Sequence, residues 1–335
     1  MGQLRGRSPS SSLVRCVWRV PWCTPVRFLS ALVVAASVGF VAYAGRSVGQ
    51  EPPDPQEMRN GVTYTFERTL ATRKVDDAYD RGQLSLVVYI WRPIVRSRHE
   101  VVLYSHGSLG GLTYDPREPM SPVPIPLLEF LLKEGYTVVV PTRRGFGAST
   151  GTYREECAFS AGKCSLAEYR ALAEPGIGEA VRDTNAVIDQ TIEGKEVSAG
   201  SKIIFSGVSR GGLLSLRMAA ERPEVTKGVI NFVGGWLSIN EAWPAAENAA
   251  RMDLQNRWFG AIGQRVHIPT LWIYAARDEN YPETATRTFF GKFQETGGTG
   301  RFVYVTQHSL GSGHAVAKDP KLWEAEVREY LKGLR

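Results

Sequence analysis

Acidic residues are missing from the first 44 positions of this 335-residue chain, a stretch that holds five arginines (Arg5, Arg7, Arg15, Arg19 and Arg27). The whole chain carries 40 Lys+Arg against 34 Asp+Glu and a net charge of +6, so without those five arginines 35 bases face 34 acids. That balance excludes a basic nucleic-acid-binding surface as the meaning of the excess, which belongs to the terminus. Cysteine is also scarce, with four in all and no pair of CxxC motifs, which excludes a structural zinc site. No repeat of fixed period and no low-complexity block is found, which argues against a solenoid or a disordered array. What remains is 43% hydrophobic and 22% charged, enough to bury a large globular core.

One long apolar run exists, the 17 residues from Phe28 to Ala44, ending in the small-x-small pattern Ala42-Tyr43-Ala44. Behind a basic leader it reads either as a secretory signal peptide or as an uncleaved anchor, since a spanning helix needs about 20 residues, range about 17 to 25. Both readings export the rest of the chain, to a periplasmic or secreted location. No adjacent arginine pair precedes the run, so a twin-arginine address is not supported. Residues 45 to 61 are Pro-, Gly- and acid-rich and read as a linker, which leaves 62 to 335 for one domain. Cys16 and Cys23 fall in the leader; Cys157 and Cys164 fall in the exported part, where an oxidising compartment favours a disulfide over two free buried thiols.

Hydrophobic patterning then alternates strands and helices. Val62, Tyr64 and Phe66 mark a half-buried strand and Leu84 to Trp91 a more apolar one. Further strands are expected at Val101 to Tyr104, Thr137 to Val140, Lys202 to Ser206, Gly228 to Val233, Thr270 to Ala275 and Phe302 to Val305. Helical periods cover Pro124 to Glu134, Gly178 to Ile192, Gly211 to Glu221 and Pro320 to Leu331. Short β-branched runs separated by helices predict an α/β fold with a mostly parallel sheet covered on both faces. In such sheets chemistry collects at the carboxyl ends of the strands.

The pattern Gly-x-Ser-x-Gly occurs at Ser47, Ser149 and Ser209. A nucleophile elbow has to turn sharply from a buried strand into a helix, and only Ser209 lies between such a strand (KIIFS) and such a helix (GGLLSLRMAAER). A serine nucleophile needs a base and the base an orienting acid. Asp278 follows the strand TLWIYA and His314 lies in a Gly-rich loop after FVYV. Glu279 is the rival acid and His308 the rival base; His106 reads as a structural histidine of the Ser-His-Gly loop. The backbone N–H of Arg210 supplies one oxyanion donor, and Ser108 the second, with Gly107 or Leu109 as alternatives. No cofactor or metal is expected.

With HGSLGG, RRGFGAST, GVSRGG, RDENYP and GSGHA in this order, the chain resembles the α/β-hydrolase superfamily from about residue 84 to 333. The esterase and dienelactone-hydrolase-like members and the catalytic domains of prolyl-oligopeptidase-like peptidases are the most similar. The resemblance implies a serine hydrolase acting on a small carboxylic ester through Ser209, His314 and Asp278. Alternatives are a peptidase taking short peptides and a non-catalytic binding protein on the same fold. Nucleic acid is not an expected partner, and a membrane is one only through the N-terminal segment. Many relatives carry an acid before the Arg-Gly of the second loop, whereas Thr142-Arg143-Arg144-Gly145 stands here, which puts a salt bridge there in doubt. Arg143, Arg144 and Arg154 are expected on solvated surface, the alternative being a clamp for a substrate carboxylate. About 36 residues, Gly234 to Pro269, leave room for a small lid at most; their Trp236, Trp243, Trp258 and Phe259 fit either a pocket lining or plain core.

Overall fold

The computed structural model describes residues 61–77, 79–95, 100–108, 123–155, 165–193, 196, 202–241 and 243–334, and the backbone of 56–57. The expected leader, most of the linker, Ser47, Leu109, Cys157 and Cys164 lie outside the described residues. Among the described residues no helix is long and apolar enough to cross a membrane.

Among the described residues nine strands form one sheet in the order β1-β2-β3-β5-β4-β6-β7-β8-β9. The parallel part runs through β5 (Thr137–Pro141), β4 (Val101–Ser105), β6 (Ile203–Val208), β7 (Thr226–Phe232), β8 (Thr270–Ala275) and β9 (Arg301–Val305). Every residue of β4, β5 and β8 is buried. That is what unbroken apolar runs encode, because each such strand is covered by helices on both faces. The antiparallel end is larger than the sequence pattern suggested: β2 (Thr63–Asp76) and β3 (Arg81–Pro93) form a long hairpin, with β1 (Gln56–Glu57) beyond it. Beyond Glu67 only Ala71 and Val75 of β2 are buried and its other residues are exposed or half-exposed, so polar side chains are tolerated and no apolar alternation marks that stretch.

Helices α1 (Ile125–Lys133) and α7 (Glu324–Gly333) meet where Phe130 packs edge-on to Trp323, ring centres 5.3 Å apart. A run of neighbours, α3 (Ala173–Val187), α4 (Arg210–Glu221), α5 (Ala245–Gly263) and α6 (Glu283–Glu295), completes the cover; α2 is the short helix Leu166–Ala171. The helix expected to run to Ile192 changes to a π turn at Ile188–Ile192, and the closing helix is preceded by a separate 3₁₀ turn at Pro320–Leu322. Helix α5 fills the gap that left room for a lid. Its buried face begins with Glu247, Arg251 and Gln255, four residues apart, before Trp258, Phe259 and Ile262, so apolar periodicity is absent from its first half. Phe259 stacks on Phe289 of α6 at 4.9 Å, while Trp236 and Trp258 are buried, so these aromatics serve the core.

The expectation is overturned for two of the three arginines, while Arg154 stays half-exposed. Arg143 and Arg144 are 3% and 4% exposed, and Arg154 stacks over the Tyr79 ring at 3.0 Å. Arg144 makes two hydrogen bonds to Asp183, 2.9 and 2.8 Å, and pairs with Glu179 and Asp80 at 2.7 and 3.2 Å. The acid absent from the second loop is thus supplied by α3 and by the β2–β3 turn, at separations no local motif records. Buried guanidiniums require such partners, because an unpaired charge away from water is costly. Asp183→Asn is expected to cost about 3–5 kcal/mol in urea denaturation, the range for breaking one side of a buried pair; a loss near zero would show that Glu179 and Asp80 suffice.

Candidate active site

Ser209 sits between β6 and α4 with φ 56° and ψ −123°, a region that costs a non-glycine residue about 1–3 kcal/mol. Hydrogen bonds hold it there: its N–H donates to Phe232 O at 3.0 Å, and its carbonyl accepts from Gly212 and Gly235 at 2.9 and 3.2 Å. The flanking glycines follow from the tightness of the turn. A Cβ on Gly211 would lie 1.9 Å from the Ser105 carbonyl oxygen, and one on Gly207 would lie 2.3 Å from the Gly211 carbonyl. Gly107 brings the loop after β4 so close that its own Cβ would stand 3.2 Å from the Ser209 Cβ. The motif at Ser149 ties strands together instead, since its buried hydroxyl donates to Thr142 O at 2.7 Å and accepts from Val87 N–H at 2.9 Å.

His314 lies in a 3₁₀ turn, Gly313–Lys318, whose start is capped by Ser312. Its Nδ1 is 3.0 Å from both carboxylate oxygens of Asp278. Asp278 also accepts the N–H groups of Asn280 and Tyr281 at 2.8 and 3.2 Å, and its side chain is buried. With Nδ1–H donated to a fixed carboxylate, Nε2 is left as the acceptor. Ser209 and His314 line one cavity of about 750 Å³, together with Gly107 and Ser108 on one side and Val123, Ile125 and Val208 among its apolar walls. None of Trp236, Trp243, Trp258 or Phe259 lines it.

The rivals are accounted for by other bonds. Glu279 accepts the Ser312 hydroxyl and lines the cavity rather than reaching His314. His308 has Nε2 2.7 Å from Ala276 O, Nδ1 3.1 Å from Arg277 Nη2, and is not among the cavity residues. His106 is fully buried, with Nδ1 2.8 Å from Gly107 O and Nε2 accepting the Arg143 N–H at 3.2 Å. These contacts assign it the neutral form with the proton on Nδ1. Burial, then the neighbouring Arg143 charge, hold its pKa well below the ordinary histidine value.

Two groups escaped the sequence reading. Glu155 is buried beside Arg143 and Arg210, and Arg210 turns its side chain beneath the elbow onto Tyr153 and Tyr169, at 3.0 and 2.9 Å. The glutamate stands two residues before a cysteine in an irregular stretch, and nothing in its local pattern marks it.

A model of the Alpha/beta hydrolase family matches residues 102–331. The chain belongs to that family. Its fold is similar to that of the Pyrococcus furiosus esterase Pf2001, at 16% identity and a TM-score of 0.51 over 86% of this chain and 99% of that one. It is also similar to the Pyrococcus horikoshii acylaminoacyl peptidase, at 15% identity and a TM-score of 0.51 over 80% of this chain but 41% of the peptidase. No curated protein sequence matches it. Among the described residues of this alpha/beta hydrolase no group of three or more His, Cys, Asp or Glu side chains is arranged to hold a metal ion.

His106 gives the hydrolase a pH-dependent stability. Below about pH 6.5 the unfolded chain binds a proton at this position that the folded chain does not, so stability is retained above that pH and lost as it falls. Between pH 7.5 and 5, urea denaturation should show the wild type losing more stability than a His106→Asn variant, by at most about 1.36 kcal/mol per pH unit. Equal losses in both would refute the assignment.

Proposed function

We propose that the chain is an exported serine hydrolase cleaving a carboxylic ester through Ser209, His314 and Asp278. The observation that carries this reading is the meeting of three independent segments at one cavity. The turn that strains Ser209 and the loop that holds His314 on Asp278 both end on a space of about 750 Å³, within the roughly 300–1,000 Å³ usual for small-molecule sites.

In this mechanism His314 Nε2 takes the Ser209 proton as the hydroxyl oxygen attacks the ester carbonyl, and Asp278 stabilises the imidazolium that forms. The tetrahedral oxyanion accepts the backbone N–H groups of Arg210 and Ser108. Arg210 opens α4, so the positive end of that helix dipole adds to the stabilisation. His314 then returns its proton to the departing alcohol, and water deprotonated by the same base releases the acyl group. The apolar wall of Val123, Ile125 and Val208 suits an uncharged acyl or alcohol group.

Ser209→Ala should remove turnover of chromogenic esters by several orders of magnitude and Asp278→Asn by about 10⁴-fold, with thermal unfolding of both near wild type. Substantial activity in Ser209→Ala would sink the serine mechanism. A panel of esters of increasing acyl length beside aminoacyl amides decides the substrate: faster amide cleavage would replace the ester by a short peptide, and absence of fluorophosphonate labelling would favour a binding protein. Export with oxidation of Cys157 and Cys164 belongs to the same reading. Alkylation of protein recovered from the exported fraction is expected to leave both thiols unmodified until a reductant is added; prompt labelling without reductant would contradict the pairing.

A further inference from the structure

The oxyanion site proposed above would draw its two N–H groups from segments that meet only here, the loop after β4 and the first residue of α4. One buried carboxylate lies beneath both. Glu155 binds Arg143 through Nε and, at 3.0 Å, through Nη2, and it also reaches Arg210 Nη1 at 3.5 Å. All three side chains are almost fully buried, at 3%, 7% and 3% exposure for Arg143, Glu155 and Arg210.

Arg143 passes this anchorage upward. Its Nη1 donates to the His106 carbonyl at 2.5 Å and its Nη2 to the Gly107 carbonyl at 3.2 Å. The Gly107 carbonyl belongs to the same peptide unit as the Ser108 N–H, and in a planar trans peptide the two point in opposite directions. Drawing that oxygen down onto Arg143, with His106 Nδ1 as a second donor at 2.8 Å, therefore turns the Ser108 N–H away from the guanidinium. Gly107, Ser108 and Ser209 all line the cavity, whereas Arg143 does not. Polarising a carbonyl with a cation also strengthens its amide as a donor. On the other arm, Arg210 is fixed by Glu155, by the hydroxyls of Tyr153 and Tyr169 and by the Trp236 carbonyl at 3.3 Å, which holds the first residue of α4 against the same base.

We infer that Glu155, acting through Arg143 and Arg210, is a positioning residue that sets the alignment of the two oxyanion donors. The inference rests on the serine-hydrolase reading. It goes beyond it by assigning transition-state alignment to a side chain that never meets substrate. Removing one donor outright costs about 10²–10³-fold in turnover, so a donor that is merely misaligned should cost less, about 10- to 100-fold.

The full chain carrying Glu155→Gln, which keeps the shape but loses the charge, is compared with wild type in three measurements: kcat and KM on a chromogenic ester, affinity for an alkyl boronic acid, and thermal unfolding. A boronic acid adds to Ser209 and places an oxygen where the oxyanion forms, so it reports alignment without turnover. Expected are parallel losses of kcat and boronic acid affinity of about 10- to 100-fold, the size set by a misaligned donor, with KM near wild type. Glu155→Asp should recover part of both. Wild-type kcat and boronic acid affinity in folded Glu155→Gln would overturn the inference, as would losses that merely track the fraction of folded protein. If Glu155→Gln does not fold, Arg143→Lys, which keeps the charge but not the two-carbonyl fork, is read by the same criteria. Ser209→Ala run alongside separates the two levels: an active Ser209→Ala fails the hydrolase reading itself, whereas an inactive one beside an unimpaired Glu155→Gln fails only the positioning role.

Discussion

The contact between the end of β4 and the start of α4 is the constraint from which the site follows. The Ser105 carbonyl oxygen stands where a side chain on Gly211 would begin, and the Gly211 carbonyl stands where one on Gly207 would. This approach lets α4 start directly at the end of β6 and forces Ser209 into positive φ. The loop after β4 is pulled in by the same contact, so that Gly107 and Ser108 reach the cavity beside Ser209. Loosening it would separate Ser209 from the loop and remove the reason for the strain. The strain persists because Phe232, Gly212 and Gly235 each supply a backbone hydrogen bond to Ser209.

Charge has a structural role beneath that contact. Two adjacent arginines leave β5 and diverge: Arg143 turns toward the loop after β4, while Arg144 reaches Asp183, Glu179 and Asp80. Pairs of this kind add little net stability over well-packed apolar residues, but losing one partner is expensive. Their worth lies in geometry, since a guanidinium fork fixes two oxygens at once. A loop with no secondary structure, 106–108, thereby acquires defined carbonyl directions.

Much of this was legible from the chain alone, for reasons specific to each element. Buried parallel strands advertise themselves because both faces need apolar side chains, and the elbow does because glycine is compulsory where backbones touch. The order Ser209, Asp278, His314 could be read since each follows its own strand. What escaped was non-local or polar. The partners of Arg143 and Arg144 lie 12 to 67 residues away, with Asp80 in the turn before β3 and Asp183 within α3. Glu279 and His308 stood as rivals to Asp278 and His314 along the chain; the contact of His314 with Asp278 and the bonds of the rivals to Ser312 and Ala276 separate them. Helix α5 was invisible because its first buried turns carry Glu247, Arg251 and Gln255 in place of an apolar stripe.

That polar face has a further consequence. An apolar helix face can slide along its neighbours at modest cost, as one methyl replaces another in a similar hollow. Helix α5 cannot. Gln255 accepts the N–H groups of Trp236 and Leu237 at 2.8 and 3.2 Å and donates to the Leu237 carbonyl at 2.8 Å, while Arg251 bonds Glu247 and the Ser238 carbonyl at 2.8 and 3.2 Å. A slip of a single turn, about 5.4 Å, would carry Gln255 and Arg251 away from the backbone groups of Trp236, Leu237 and Ser238, leaving those without their partners, while the Arg251–Glu247 pair within the helix would move with it. The helix is therefore keyed in place like a lock with one permitted position, and it fixes the 236–238 backbone that follows β7 along with it.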